Sequence, residues 1–399
     1  MTPPGYKQTE VGVIPEEWEV FRLVDLIDYT KGFPFKSVDY QTAGVRIIRV
    51  SDTSHDSIKE EDPIFVSEAR AAQYATWRLK EHDLIVSTVG SKPPMYDSMV
   101  GKVILIEQSH TNTLLNQNAV IIRDRKRRAH VQQLLLSHLR TRRYLTHIEA
   151  IYRGNANQAS ITLKELFQFG IPLPKNDAEQ RAIATALSDV DALLASLDRL
   201  IAKKRDLKQA AMQQLLTGQT RLPGFKDEWV VKQISNIAPL QRGFDLPNPD
   251  LRPGPHPVVY SNGTMNYHAK AQVQGPGVVT GRSGTIGNVT FVEEPYWPHN
   301  TALWVTSFKG NNPHFVFYLY TKIGFERFAT GSGVPTLNRN DVHSFEVKIP
   351  PTVEEQTAIA AVLTEMDAEL AALEQRQAKT RALKQGMMQE LLTGKTRLI

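Results

Sequence analysis

Residues 179–222, EQRAIATALSDVDALLASLDRLIAKKRDLKQAAMQQLLTGQTRL, return as residues 355–398, EQTAIAAVLTEMDAELAALEQRQAKTRALKQGMMQELLTGKTRL. The offset is a constant 176 residues without a gap, and 26 of the 44 positions are identical. Helix-rich composition does not produce that by coincidence, so an internal repeat organises the chain. Each copy predicts one long helix. Apolar residues fall at Ile183, Leu187, Val190, Leu194, Leu197 and Ile201, in alternating steps of four and three. The second copy has Ile359, Leu363, Met366, Leu370 and Leu373. This is the a/d seam of a coiled coil. Asn176 with Glu179, and Thr352 with Glu355, have capping-box spacing, and Pro174 and Pro350 stand two residues before those caps. Gly218 and Gly394 suit the left-handed position after a helix end. At about 1.5 Å per residue, roughly 40 residues make a rod of roughly 60 Å. That is longer than a small core needs, and suited to holding two bodies apart. The seam fades at Gln377 and Thr380, and a second apolar set then resumes at Leu207, Ala211 and Leu215, matched by Leu383, Met387 and Leu391. Either a polar layer fixes register there, or the rod changes partner along its length.

Working outward, two globular segments, about 1–170 and 223–346, precede the rods. Their interiors differ, yet their edges rhyme. Trp18 is followed fourteen residues later by Gly32-Phe33, and Trp229 fourteen residues later by Gly243-Phe244. At the far edge, SITLKELFQFGIPLP (160–174) matches TLNRNDVHSFEVKIP (336–350) at the same offset of 176. Short apolar runs bounded by Gly, Asn and Asp predict strands at 84–87, 102–106 and 119–123, and again at 277–280, 288–292 and 302–305. A helix is expected near 131–148 and another near 314–328. The expected fold class is α+β, with segments 1–174, 175–218, 219–350 and 351–399 as globule, rod, globule and rod. Like frames around unlike interiors suggest one task done twice on different targets.

Composition sets outer limits. Cysteine is absent, which excludes disulfides, Cys-containing zinc sites and thiol nucleophiles and fits a reducing cytosol. The first twenty residues lack a basic start followed by an apolar run, so a signal peptide is not expected, and no stretch has the apolar length of a membrane span. A net charge of +5 is compatible with a polyanion partner without requiring one. Two basic clusters stand out. RDRKRR (123–128) closes a strand-like run and is placed to lie beside phosphates. Arg140, Arg142 and Arg143 read as a solvated helical face, and so do Lys203, Lys204, Arg205 and Lys208 on the first rod, with phosphates across the spacer as the alternative.

An [Ile/Leu]-Pro-x-x-x-x-Glu-Gln start, a long helix and an LLTG end, present twice and alternating with two dissimilar globules, resemble the specificity subunits of type I restriction-modification systems. The PLPKNDAEQ and PPTVEEQ junctions and the Trp-then-Gly-Phe openings carry the likeness, which spans essentially the whole chain. The resemblance implies two target-recognition domains, each reading half of a split site in double-stranded DNA. It also implies that the rods form an antiparallel coiled coil with pseudo-twofold symmetry, acting as a ruler. The implied partners are two modification (methyltransferase) subunits, holding S-adenosylmethionine, and restriction subunits that use ATP and Mg. No cofactor or metal is expected in this chain, no membrane is involved, and the expected location is cytoplasmic.

Catalytic motifs are missing from the sequence. There is no Asn/Asp-Pro-Pro-aromatic tetrapeptide and no G-x-S-x-G elbow. Gly394-Lys395-Thr396 mimics a phosphate-loop fragment, but position 389 is Gln and the fragment ends a helix instead of opening one. The eleven His are scattered without metal-ligand spacing. The expected chain is therefore a non-catalytic reader. A coiled-coil scaffold with two protein-binding heads fits the same layout, but would show no salt-dependent DNA affinity. So does the recognition subunit of another multi-subunit restriction or modification system.

Base reading needs donors and acceptors on loops and strand ends: Arg or Lys for guanine, Asn or Gln for adenine. In the first globule the candidates are Lys31 and Lys36, Ser91, Lys92 and Tyr96 in SKPPMYDS, and Arg153, Asn155, Asn157 and Gln158 in RGNANQ. In the second they are Arg242, then Arg282, Ser283 and Thr285 in TGRSGTIG, and Asn338 and Arg339 after GSGVP. For any one of these a solvated loop residue is the plain alternative. Asn116, Asn118 and Asn300, at strand starts, are read as structural.

Overall fold

Both rods are single helices of 39 residues, Asp177–Leu215 and Val353–Leu391. The computed structural model describes residues 2–398 apart from 55, 56, 94, 96, 97, 156, 157 and 332. Their starts follow the sequence signals in part. The Asn176 side chain accepts from the Ala178 amide at 2.9 Å, and the Thr352 hydroxyl from the Glu355 amide at 3.4 Å. Gln180 and Gln356, both buried, reach back to donate to the carbonyls of Pro174 and Pro350. This accounts for the repeated Pro-x-x-x-x-Glu-Gln spacing. The glutamates do not complete capping boxes, because an arginine takes each carboxylate. At the far ends Gly218 and Gly394 have φ of +72° and +70°, the left-handed geometry expected after a helix.

The chain divides into two units, Met1–Ser196 with Ala378–Ile399, and Leu197–Gln377. Each unit therefore holds one globule and one half of each rod, a different division from the four consecutive segments of the sequence. In the first unit Lys384 pairs with Asp191, and Arg397 with Glu179. In the second, Lys208 pairs with Asp367, Lys204 with Glu369, Arg205 with Glu374 and Arg221 with Glu355. Rising numbers on one rod meet falling numbers on the other, so within each unit the rod halves run antiparallel. Two pairs in one unit reappear in the other at the repeat offset: Lys208–Asp367 matches Lys384–Asp191, and Arg221–Glu355 matches Arg397–Glu179.

The seam residues divide by place. Ile183 and Leu187 join the core of the first globule with Trp18, Leu391 and Leu392; Ile359 and Leu363 join that of the second with Leu215 and Leu216. Leu197, Ile201 and Leu370 are buried, while Val190, Leu194, Met366 and Leu373 are half-buried. Leu207 and Leu383, expected to resume the seam, are instead 46% and 59% exposed. Each precedes a lysine, Lys208 or Lys384, that faces an aspartate of the other rod, and a one-residue step turns a side chain by about 100°, out of that interface. Of the solvated face expected for Lys203, Lys204, Arg205 and Lys208, Lys203 and Arg205 are exposed while Lys204 and Lys208 are half-buried, and Lys204, Arg205 and Lys208 each bridge to an acid of the other rod. Tyr318 adds a 2.8 Å hydrogen bond to the Asp367 carboxylate.

The unlike interiors share a topology. In the first unit a four-stranded antiparallel sheet has the order Ile27–Lys31, Ala119–Asp124, Leu84–Ser87, Val103–Leu105. In the second the order is Leu240–Arg242, Ala302–Val305, Gly277–Gly281, Val289–Val292. Each unit adds a three-stranded sheet with one parallel pair: Leu114–Leu115 beside Val45–Ile48, and Trp297–Pro298 beside His256–Tyr260. The rhyming edges pair with each other, Trp18–Arg22 with Gly170–Pro174 and Val230–Gln233 with Glu346–Ile349. The helix expected over 131–148 is two, Ala129–His138 and Arg142–Ile151, because the Thr141 hydroxyl caps the second. The one expected over 314–328 stops at Ile323, where Gly324 turns left-handed at φ +66°.

Gly32 and Gly243 of the repeated Gly-Phe pair allow close backbone approach. A Cβ at Gly32 would overlap the Asn116 carbonyl, and one at Gly243 the carbonyls of Pro298 and His299. Phe33 and Phe244 then bridge in parallel to Asn116 and His299. Neither backbone can yield cheaply, so Gly32→Ala and Gly243→Ala are each expected to destabilise by roughly 3 kcal/mol, measured by urea unfolding. A loss below about 0.5 kcal/mol would show that the approach is not tight.

Candidate nucleic-acid interface

The basic clusters singled out by composition are mostly neutralised within the fold. In RDRKRR, Arg123 clamps the buried Asp83 with two bonds of 2.5 Å. Arg125 and Arg127 share Asp28, and Arg128 pairs with Asp124 at 3.0 Å. Arg143 does not lie on a solvated face. Its guanidinium sits 4.2 Å over the Phe169 ring, and burial pulls its pKa down to about 10. Arg140 is half-buried, while Arg142 remains exposed. Within RDRKRR, the cluster read as lying beside phosphates, Arg123 and Arg128 are thus tied to buried aspartates, while Arg125 and Arg127 stay more than half exposed.

Distant candidates do come together. In the first unit the RGNANQ stretch is a hairpin, Arg153–Asn155 with Gln158–Ser160. Its second strand pairs with Val89–Gly90, which leads into Ser91 and Lys92. Arg153, Asn155, Gln158 and Lys92 are exposed; Ser91 is buried, its hydroxyl accepting from Ser98 at 2.9 Å. Arg153 also pairs with Glu165 at 2.5 Å, which fixes the root of the hairpin. Tyr96 and Asn157 lie outside the described residues. Lys31 and Lys36 are exposed beside an aromatic cluster of Phe33, Phe35, Tyr74 and Trp77, where the Trp77 indole donates to the Lys31 carbonyl at 2.9 Å.

The second unit repeats this platform with other side chains. Ala329–Thr330 pairs with Thr336–Leu337, and Ser283 bridges to Thr336. Further bonds hold Arg282 in this junction. Its amide donates to the Thr301 carbonyl at 2.9 Å, and its carbonyl accepts from Leu337 at 2.8 Å. Arg242, Arg282, Asn338 and Arg339 all line one open concavity of about 640 Å³, together with Gln241 and Asp245. Asp245 holds Arg242 at 3.1 Å and accepts from the Asn300 amide. The Asn300 bond, followed by Arg242, keeps that carboxyl below the usual range. The Asn338 carbonyl oxygen caps the following turn at the Asn340 amide, 3.0 Å away, leaving its NH2 as donor. Thr285 is exposed on the glycine loop, and Ser283 half-buried.

Several residues of this face were not singled out from sequence. Gln241 and Asp245 flank the Gly-Phe pair. The Ser261-Asn262-Gly263 turn leans on the glycine loop, the Ser261 hydroxyl standing 3.8 Å from where a Cβ of Gly284 would be. The Asn-Gly dipeptide between two strands was the available signal. Among the described residues no group of His, Asp and Glu is suited to a metal ion, and no helix is long and apolar enough to cross a membrane.

Comparisons agree with this organisation. A type I restriction modification DNA specificity domain model matches residues 15–203 and 226–382. The chain is 25% identical over 427 residues to a putative type I restriction enzyme MjaX specificity subunit of Methanocaldococcus jannaschii, covering 99% of this chain and 97% of that one. It is 24% identical over 220 residues to the MjaVIII specificity subunit of the same organism, covering 55% and 50%. Among solved structures, a type I restriction-modification S subunit from M. genitalium shares the fold with a TM-score of 0.67 at 17% identity, over 98% of this chain and 99% of that one. Two matched globules, two rods that carry the repeat and a match to the MjaX subunit over nearly its whole length leave one assignment: the chain belongs to the type I restriction-modification DNA specificity family, as a DNA-recognition subunit.

Proposed function

We propose that each unit reads one half of a split DNA site and that the chain performs no catalysis itself. One observation carries the reading. The same platform, a hairpin paired to a strand that runs into a polar loop, is built in both units, and the exposed side chains at matching places differ. The pairing of Arg153–Asn155 with Gln158–Ser160 stands where the other unit pairs Ala329–Thr330 with Thr336–Leu337, and Lys92 answers the Arg282–Thr285 loop. A conserved scaffold with exchanged donors suits two different base sequences. Single bidentate pairs discriminate by about 1–3 kcal/mol, and two linked heads multiply that through effective concentration.

Catalysis is then supplied by two modification subunits that hold S-adenosylmethionine, and by restriction subunits that use ATP and Mg, in the cytoplasm. The rods supply the spacing and the partner surface. Replacing residues 1–170 with the first globule of another family member is expected to change one half of the methylated motif and leave the other half and the spacer as they were. Change in both halves, or in neither, overturns the assignment of one half-site to each unit.

A further inference from the structure

We infer that the concavity of the second unit reads a guanine, with Arg282 as the residue that contacts its base edge and Arg339 as a phosphate contact on the rim. The inference rests on the DNA-reading assignment above and specifies one position in it. Three arginines converge on this site, and their states differ. Arg242 is held by Asp245, itself bonded to Asn300. Among the described residues neither Arg282 nor Arg339 has an acidic partner within ion-pair distance, although most arginines of the chain do have one. Two uncompensated cations in one open concavity favour an acceptor-rich ligand.

Anchoring separates their roles. Arg282 is half-buried at a strand junction, bonded through its amide to Thr301 and through its carbonyl to Leu337, and its Nη1 donates to the Asn300 carbonyl at 3.4 Å. A guanidinium fixed at its root loses little freedom on docking, and its fork matches the O6 and N7 acceptors of guanine. Arg339 is exposed at the start of a five-residue helix. An exposed rim cation suits a phosphate, which carries no sequence information. Asp245 beside Arg242 adds a fixed negative charge that disfavours a phosphate on that side of the site.

The test uses the full chain co-expressed with its modification subunit, once the methylated motif and the half belonging to the second unit are known. Duplexes carrying 7-deazaguanine in place of each guanine of that half remove N7 and leave the protein untouched. One position is expected to weaken binding about tenfold, and Arg282→Gln to relax the motif at that same position, with Arg282→Lys intermediate. Arg339→Gln is expected to weaken all sequences alike and to lower the salt slope by about one phosphate, with the motif unchanged. If Arg282→Gln behaves as described for Arg339, Arg282 is a phosphate contact and the inference fails. It also fails if the second unit's half-site contains no guanine, while the DNA-reading assignment stands. Absence of any split motif overturns that assignment instead.

Discussion

Arg397→Ala is expected to lower the stability of the first unit by about 3–5 kcal/mol, the usual consequence of leaving a buried charge without its partner. Glu179 keeps 1% of its side-chain surface exposed, and Arg397 closes on it with bonds of 2.5 and 2.8 Å. The same guanidinium reaches Glu17 at 3.1 Å and lies 6.0 Å from the centre of the Trp18 ring. These bonds, the one to Glu179 foremost, hold the Arg397 pKa above its ordinary value. The Tyr6 hydroxyl donates to the Gly394 carbonyl at 3.1 Å, so the end of the second rod is fastened to the first globule. The second unit has the same clasp, Arg221 on Glu355 with bonds of 2.6 and 2.8 Å, with the Trp229 indole donating to that carboxylate at 3.2 Å. Arg221→Ala is therefore expected to cost the second unit a similar amount. Replacing both members of a clasp by leucine should recover most of the loss, because an apolar pair leaves no stranded charge. Guanidinium unfolding of the single and double variants measures this as a cycle. A loss below about 1 kcal/mol would class the clasp with ordinary surface ion pairs.

Four residues inserted into both rods, after Ser196 and after Gln377, are expected to lengthen the unread spacer of the DNA site and leave both half-sites intact. Four helical residues add about 6 Å, close to two base pairs of rise. These points fall where one unit ends and the other begins, so the contacts that build each globule are kept. The Lys384–Asp191 and Lys208–Asp367 pairs lie on opposite sides of the insertions and hold the antiparallel register of each half. Methylome mapping of the variant complex reads the outcome. An unchanged spacer, or altered half-sites, contradicts a ruler role.

Much of this architecture is legible because it is periodic or repeated. The four-three spacing of Ile183 to Ile201 specifies a helix without any knowledge of its partner, and the offset of 176 ties both copies together. The clasp was also written there, as Glu of Glu-Gln and Arg of the LTG-x-TRL end, each conserved between copies. Spacing alone suggested a capping box for the glutamates, since a pairing 218 residues apart, Glu179 with Arg397, leaves no local trace. Leu207 and Leu383 misled for a related reason: apolar character marks a face, but a neighbouring lysine decided which face met the other rod. The shared sheet order of the two interiors was invisible because strand pairing is nonlocal and tolerates different side chains. RGNANQ and TGRSGTIG were found by polarity and glycine content, whereas the gathering of Arg242, Arg282, Asn338 and Arg339 into one concavity needed the fold.

The most direct test of the central claim is to co-express this chain with its neighbouring modification subunit and map methylated bases across a genome by single-molecule sequencing. A single motif made of two specified halves around a spacer of fixed length is the predicted result. A continuous motif, or no methylation from a complex that assembles and binds S-adenosylmethionine, would contradict the account.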